Sequence, residues 1–429
     1  MTDKQIEGLI APKTGELVVP AVVEESNEHQ IPDGGYGWVC VACVTTVNSF
    51  TWGVFGSYGV YLAYYLANDI YPEATPLDYA YIGGLNFGVA MIMASPVTYL
   101  VRIFGTHIPM AVGALIQMGG YIAASFSTRI WHLYCTQGIL LGIGVGFLFT
   151  PSVAVTSQWF DKKRSLANSI NSAGTGIGGL IISFSTQPMI DRLSLAWSLR
   201  IIGIMAGTMN LLATCFIRNR NKVIQPTMNP FAFHLLRRLP VILLLCWGFF
   251  SMLGYMVLLY SLSDFARSIG LSKSQASSVT ALMNLGTLIG RPALGVLSDR
   301  YGRMKVAGIA TFACGVAIWA LWVPAASYAV TVVFALINGM VAGTYWMALS
   351  PLCVEVGGLI ELPSLLALSF GTAILPTTFA MVIALNIKKP DADKPYLYPQ
   401  VFTGLAYLAA SAFMLALWLI QRRKKLVSI

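Results

Sequence analysis

The chain has 429 residues, 56% of them hydrophobic and only 10% charged. A water-soluble domain carries about 25% charged residues, so a soluble enzyme or binding domain is excluded and the solvent for most of this chain is lipid. The net charge of +9 does not point to nucleic acid. The basic residues sit in short segments between apolar runs and form no platform interleaved with aromatics.

Residues 1–30 are polar and mildly acidic, with Glu16, Glu24, Glu25 and Glu28. They lack the basic start and apolar run of a secretory signal and read as a disordered cytosolic tail. A bilayer core about 30 Å thick needs ~20 apolar residues per helix. Twelve such runs follow, at 36–66, 78–100, 106–127, 130–156, 162–190, 194–217, 239–266, 274–298, 304–324, 328–355, 361–387 and 397–421. The polar stretch 218–238 parts six spans from six. The expected organisation is an N-terminal six-helix bundle over 31–217, a central cytosolic loop over 218–238, a C-terminal six-helix bundle over 239–421 and a basic cytosolic tail over 422–429. With the N-terminus in the cytosol, 18 of the 27 Lys and Arg residues fall on the inside and 8 outside, with Arg291 left within a span. That asymmetry places both termini in the cytosol.

The two halves echo each other. Leu100-Val-Arg-Ile-Phe-Gly105 joins the second and third spans, and Leu297-Ser-Asp-Arg-Tyr-Gly-Arg303 joins the eighth and ninth. The seven cysteines all fall in apolar runs, so neither a disulfide framework nor a zinc pair at Cys40 and Cys43 is implied. Gly174-Thr-Gly-Ile-Gly-Gly179 lies in a membrane helix with no strand before it, and Gly138, Gly142 and Gly146 form a small-residue face. Both patterns read as close helix packing.

Two further motifs carry a resemblance. Asp33-Gly-Gly-Tyr-Gly-Trp38 opens the first span, and Trp159-Phe-Asp-Lys-Lys-Arg-Ser-Leu-Ala-Asn-Ser-Ile-Asn-Ser-Ala-Gly174 lies at the fourth-to-fifth junction. Together they resemble the signatures of the monocarboxylate porter family of the major facilitator superfamily, closest to its yeast and fungal members. The resemblance implies an all-α integral membrane protein with twelve helices in two six-helix pseudo-symmetric bundles. It also implies transport by alternating access. In the first signature, Asp33 is expected to cap its own helix. Gly34, Gly35 and Gly37 would permit close backbone approach, and Tyr36 and Trp38 suit an interface.

Gly295-Val-Leu-Ser-Asp-Arg-Tyr-Gly-Arg303 looks like the cytosolic loop motif of major facilitators. Asp299, Arg300 and Arg303, with Arg102, Lys162 and Arg164, are the expected gating network. Arg291 lies eight residues before Asp299, about 12 Å into the membrane. A charge at that depth costs several kcal/mol unless it faces a cavity or a partner. In the resembled family, an arginine at this position is implicated in binding the substrate carboxylate. Better-known proton–lactate carriers have an aspartate where this chain has Thr287 and a lysine where it has Gly56. Asp78, Asp264 and Glu355 remain as titratable groups near span ends. Asn86 and Asn284 are the further polar candidates for substrate contact, and Tyr58, Tyr255, Tyr260, Tyr345 and Trp346 the aromatic ones.

No catalytic constellation, metal-ligand spacing or Walker loop is present, so no enzyme activity, cofactor or ATP drive is expected. The expected partners are a small organic substrate and the lipid bilayer, with protons a candidate coupling ion that Thr287 and Gly56 speak against. The expected function is secondary transport of organic anions at the plasma membrane. The alternatives are a vitamin carrier of the riboflavin-uptake kind, an efflux carrier for a secondary metabolite, a transporter-like sensor or an integral membrane enzyme.

Overall fold

The computed structural model describes residues 31–427 apart from 57, 390 and 391. The expected N-terminal tail and the last two residues of the basic tail lie outside the described residues. Among the described residues there is no strand.

Among the described residues, nine segments are long and apolar enough to cross a membrane. They include α1 (Gly37–Leu62), α2 (Leu77–Phe104), α3 (His107–Ala124) and α4 (Ile130–Trp159). Two more helices of 29 residues each, α5 (Arg164–Arg192) and α8 (Lys273–Tyr301), have the length to cross but are too polar to score as apolar spans. They face each other at the centre of the molecule, where their polar side chains meet protein and cavity rather than lipid. Around them run α6 (Leu195–Phe216), α7 (Leu239–Ser268), α9 (Arg303–Trp322) and α12 (Leu397–Arg423). The apolar stretch Tyr328–Ile387 has 60 residues, about three times what one crossing needs. It turns back at Gly358, whose φ of 74° breaks the helix, so it supplies α10 (328–357) and α11 (359–387). The result is twelve crossings in two six-helix bundles.

Local chemistry sets the helix ends. Thr75 and Asp78 form a capping box ahead of α2, with Pro76 in its first turn, and Ser272 and Gln275 form one ahead of α8. Gly105 ends α2 with φ 76° and Gly302 ends α8 with φ 104°. Only glycine adopts that region without strain, which is why the repeated junction motif keeps a glycine at both places.

Small residues bring backbones together. A Cβ at Gly174 would strike the Thr45 carbonyl, and one at Gly178 the Ser49 backbone, so α5 lies directly against α1. Gly142 and Gly146 do the same for α4 against α2, and Gly84 and Gly88 for α2 against Thr378 of α11. Both glycine patterns thus serve packing.

Three stretches are wound as π-helix, at Ser49–Gly53, Tyr134–Leu140 and Ile318–Trp322. Widened turns disturb the i+4 ladder and present carbonyls sideways. In each stretch one carbonyl takes a buried amide from another helix. Gln117 Nε2 donates to Phe50 O at 2.7 Å, Asn86 Nδ2 to Gln137 O at 2.8 Å, and Gln400 Nε2 to Trp322 O at 2.8 Å.

The segment between the bundles is not a free linker. The Thr227 amide donates to Ile360 O at 2.8 Å, Ser364 Oγ to Thr227 O at 2.6 Å, and Arg238 pairs with Glu361 at 2.6 Å. It is thereby tied to the α10–α11 turn. The end of the molecule that carries this segment and the α2–α3, α4–α5 and α8–α9 junctions is called the basic end below.

Candidate functional site

A cavity of about 100 Å³ lies between the two bundles. From the first bundle, α1 contributes Asn48, Trp52 and Phe55, and α5 contributes Asn171, Ser172 and Thr175. Phe87 of α2 and Phe149 of α4 complete that wall. Tyr255, Asn284, Arg291 and Trp346 form the facing wall. No Asp or Glu lines the cavity.

Arg291 is 2% exposed. Its Nη1 donates to Ser172 O at 2.5 Å, Ser172 Oγ at 2.8 Å and Thr175 Oγ1 at 3.0 Å, all on α5. The guanidinium therefore bridges the bundles. Its Nε has no hydrogen-bond partner. The Tyr255 hydroxyl adjoins the guanidinium, and Gly343 lies bare against its face. Among the described residues no carboxylate forms an ion pair with it.

The aromatic part of the site spans both bundles. Trp52 stacks on Phe87 at 4.6 Å and meets Phe149 edge-on at 5.3 Å and Trp346 at 5.8 Å. Such pairs are rigid and add about 0.5–1.5 kcal/mol each beyond burial. The polar and apolar sides together can hold a small molecule with an anionic head and an organic body.

Sequence reasoning placed Arg291, Asn284, Tyr255 and Trp346 at the substrate, and the structure brings all four to this cavity. Asn86 and Tyr345 lie outside the cavity lining. Asn86 is 1% exposed and spends its amide on the π-wound carbonyl of Gln137. Tyr345 is 1% exposed, packs on Trp247 at 5.7 Å and lies against Gly248, behind Trp346. Tyr58 also stands outside the cavity lining. It stacks on Phe55 at 5.8 Å, and its hydroxyl donates to Tyr79 O at 3.2 Å. Tyr260 approaches the same Gly83 that Tyr58 and Phe55 cover. Trp52, Phe55, Phe87, Phe149, Asn171, Ser172 and Thr175 were not anticipated.

The basic end is shut by a network centred on the start of α5. Asp299 accepts from the amides of Ser165 at 2.9 Å and Leu166 at 2.8 Å, so a carboxylate from the second bundle caps a helix of the first. Arg303 reaches Asp161 O at 2.5 Å, Asp299 at 3.7 Å and Glu355 at 3.9 Å. Ser298 meets Ser165 at 3.1 Å, and Ser157 meets Ser350 at 2.8 Å. Toward the opposite end the bundles meet through packing, as at Gly84, Gly88 and Thr378.

Arg164 is 3% exposed and folds back on Phe160 O at 2.8 Å and Asp161 at 3.2 Å. Three expected members stay out of the gate as side chains. Lys162 gives its backbone amide and its charge to Asp33 of the same bundle, Arg300 lies over its neighbour Tyr301, and Arg102 lines a separate groove.

Asp33 does not cap its own helix; no side chain caps α1. Its Oδ1 accepts from the amides of Asp161 at 2.7 Å, Lys162 at 2.9 Å and Lys163 at 3.4 Å. A φ of 52° turns the chain so that the carboxylate reaches the α4–α5 junction. Partial burial pushes the Asp33 carboxyl up. The three N–H groups and the Lys162 charge outweigh that and hold it below its ordinary range. Trp38 packs on Phe160 at 4.9 Å, and a Cβ at Gly37 would sit 3.0 Å from Trp159 and Phe160. Of the three signature glycines only Gly37 is a close approach; Gly34 and Gly35 face open space. The two sequence signatures are therefore one contact.

Two further titratable candidates, Asp78 and Asp264, are paired. Asp78 accepts from Tyr134 at 2.9 Å, and Asp264 pairs with Lys388 at 2.7 Å and with the Tyr396 hydroxyl. Thr287 bonds to Gly339 O at 3.1 Å.

A family model described as the Major Facilitator Superfamily matches residues 41–356 and 244–428. The Saccharomyces cerevisiae protein described as "Probable transporter MCH2" is 35% identical over 402 residues, covering 91% of this chain and 84% of that relative. A second protein of the same yeast, "Uncharacterized transporter ESBP6", is 32% identical over 425 residues, but the chain spans only 63% of its length. The "Fujikurins efflux protein" of Gibberella fujikuroi is 26% identical over 413 residues, covering 94% of this chain and 87% of the relative. Among solved structures, the proton:xylose symporter XylE superposes with a TM-score of 0.69 at 13% identity, over 89% of this chain and 95% of that one. The chain belongs to the major facilitator superfamily and is a multi-pass membrane transporter of small molecules, not an enzyme.

Proposed function

We propose that this protein is a secondary active transporter of small organic anions, monocarboxylates above all, working by alternating access. The observation that carries the reading is Arg291. It is a cation buried in a central cavity between the bundles, with no carboxylate in ion-pair distance among the described residues. Such a charge is retained at a cost of several kcal/mol unless an anion meets it. The substrate carboxylate takes the Nε side of the guanidinium, and the aromatic group around Trp52 and Trp346 holds the organic body. Residues 31–217 and 239–421 rock as the two halves, with the Asp299 network closing one end. The resemblance to monocarboxylate porters supports this substrate class and a plasma-membrane location, and the charge asymmetry supports cytosolic termini.

Export of a specialised metabolite is the second reading, favoured by the aromatic lining and by the efflux protein among the relatives. The test is uptake and efflux of radiolabelled organic acids and vitamins in cells expressing wild type, Arg291→Lys or Arg291→Ala, at acidic and neutral pH. Surface expression is measured in parallel. Loss of anion transport in Arg291→Ala at normal expression is the expected result. Normal anion transport by that variant overturns the reading, and transport of only uncharged compounds favours a different substrate class.

A further inference from the structure

A second polar recess lies at the basic end, outside the central cavity. It is a groove of about 1160 Å³ between the start of α3, Trp159 and residues 218–229. Arg102, Arg218, Arg220 and Lys222 line it, and none of its lining residues is Asp or Glu. Four like charges around one groove repel each other unless an anion lies among them. Two of them are held in place. Arg218 stacks over Tyr36 at 4.3 Å, and Arg220 reaches Gln158 O at 3.3 Å. Arg102 and Lys222 are exposed, and their side chains form no hydrogen bond or ion pair among the described residues. The positive end of α3 opens on the same space, and no side chain caps it.

The surroundings identify the source of the anion. Phe104, Phe216, Phe231 and Phe233 are each more than half exposed, at 53%, 57%, 61% and 62%. Phe104 and Phe216 end α2 and α6, and Phe231 and Phe233 lie in the segment leading to α7. Bare rings beside basic side chains suit the headgroup–acyl boundary of a bilayer, where lipid headgroups stand beside them. We infer that this groove binds the headgroup of an anionic phospholipid, with its acyl chains along the exposed rings. The site is independent of the substrate reading.

The test uses the purified full-length protein in phosphatidylcholine nanodiscs. Binding of dioctanoyl phosphatidylinositol bisphosphate is measured against dioctanoyl phosphatidylcholine, free inositol trisphosphate and inorganic phosphate. The anionic lipid is expected to bind. The Arg102→Gln/Lys222→Gln double variant is expected to bind it about 25-fold more weakly, roughly fivefold per basic residue lost near an anionic headgroup. The free anions are expected to bind more weakly than the lipid, because they lack acyl chains. If the double variant has a lowered Tm, Lys222→Gln alone, with its fivefold loss, carries the test. Equal binding of the two lipids overturns the proposal, as does undiminished binding by the variants. Inositol trisphosphate binding as tightly as the lipid also overturns it, in favour of a soluble anion.

Discussion

Asp299→Ala is expected to shift the transporter out of the conformation described here. The carboxylate accepts two backbone bonds, at 2.9 and 2.8 Å, from a helix of the other bundle. Hydrogen bonds to a charged group contribute about 1.5–3 kcal/mol each. The low end applies, because water replaces both partners when that end opens. Two such bonds give about 3 kcal/mol, or roughly a hundredfold in the open-to-closed ratio. The assay places a single cysteine at Ser169, with the native cysteines replaced, and measures its labelling by a maleimide. Ser169 is fully buried between Gly295 of α8 and Met347 of α10, so its labelling reports opening of the basic end. A rate that rises by one to two orders of magnitude is expected. A change below threefold, with the protein folded, refutes the role given to Asp299.

Asp33→Asn is expected to lower Tm at neutral pH by the equivalent of about 1 kcal/mol, the usual cost of a lost cap. Because the folded state holds the Asp33 carboxyl below its ordinary range, its contribution is complete above about pH 3.9 and fades as pH falls through the lower folded value. The Tm gap between wild type and Asp33→Asn therefore closes in acid, and a gap that persists or widens there contradicts the assignment. Gly178→Ala forces a Cβ into the Ser49 backbone and is expected to cost about 1–3 kcal/mol, read as a lower Tm. Gly371→Ala, which meets open space, is the silent control. Gly343→Ala places a Cβ 2.7 Å from Nε and 2.9 Å from Cζ of Arg291. Displacing the guanidinium is expected to raise KM for an anionic substrate more than it lowers Tm.

Much of this fold is written plainly in the sequence. Lipid demands long apolar helices, so length and hydropathy mark the crossings. The two polar ones, α5 and α8, become legible through their place between apolar neighbours. Arg291 was legible because a charge at that depth always needs a reason. The aromatic wall was not. In a membrane helix both the lipid face and the cavity face are apolar, so no contrast of polarity marks Trp52, Phe87 or Phe149 as facing inward. Tyr345 and Trp346 show the limit at finer scale. Adjacent helical residues point about 100° apart, and only the second of the pair reaches the cavity. Asn86 lies outside the cavity lining for another reason. Its partner is a carbonyl offered by a π-wound turn, and no residue pattern announces such a turn in advance.

The two acidic motifs take their roles from the same short segment. Residues 161–166 present one uncapped run of amides where α5 begins. Asp33, from the same bundle, takes Asp161, Lys162 and Lys163, whereas Asp299, from the other bundle, takes Ser165 and Leu166. Under alternating access the first contact travels with its bundle and the second must break each time the basic end opens. Removing Asp33 therefore weakens every conformation alike, and it appears in Tm rather than in the rate of Ser169→Cys labelling. Removing Asp299 weakens only the closed conformation, and it appears in that labelling rate more than in Tm, because the open conformer is still available to fold into. On the proposed alternating access, chemically similar caps one turn apart would divide into a structural bond and a gating bond, and what separates them is which bundle supplies the carboxylate.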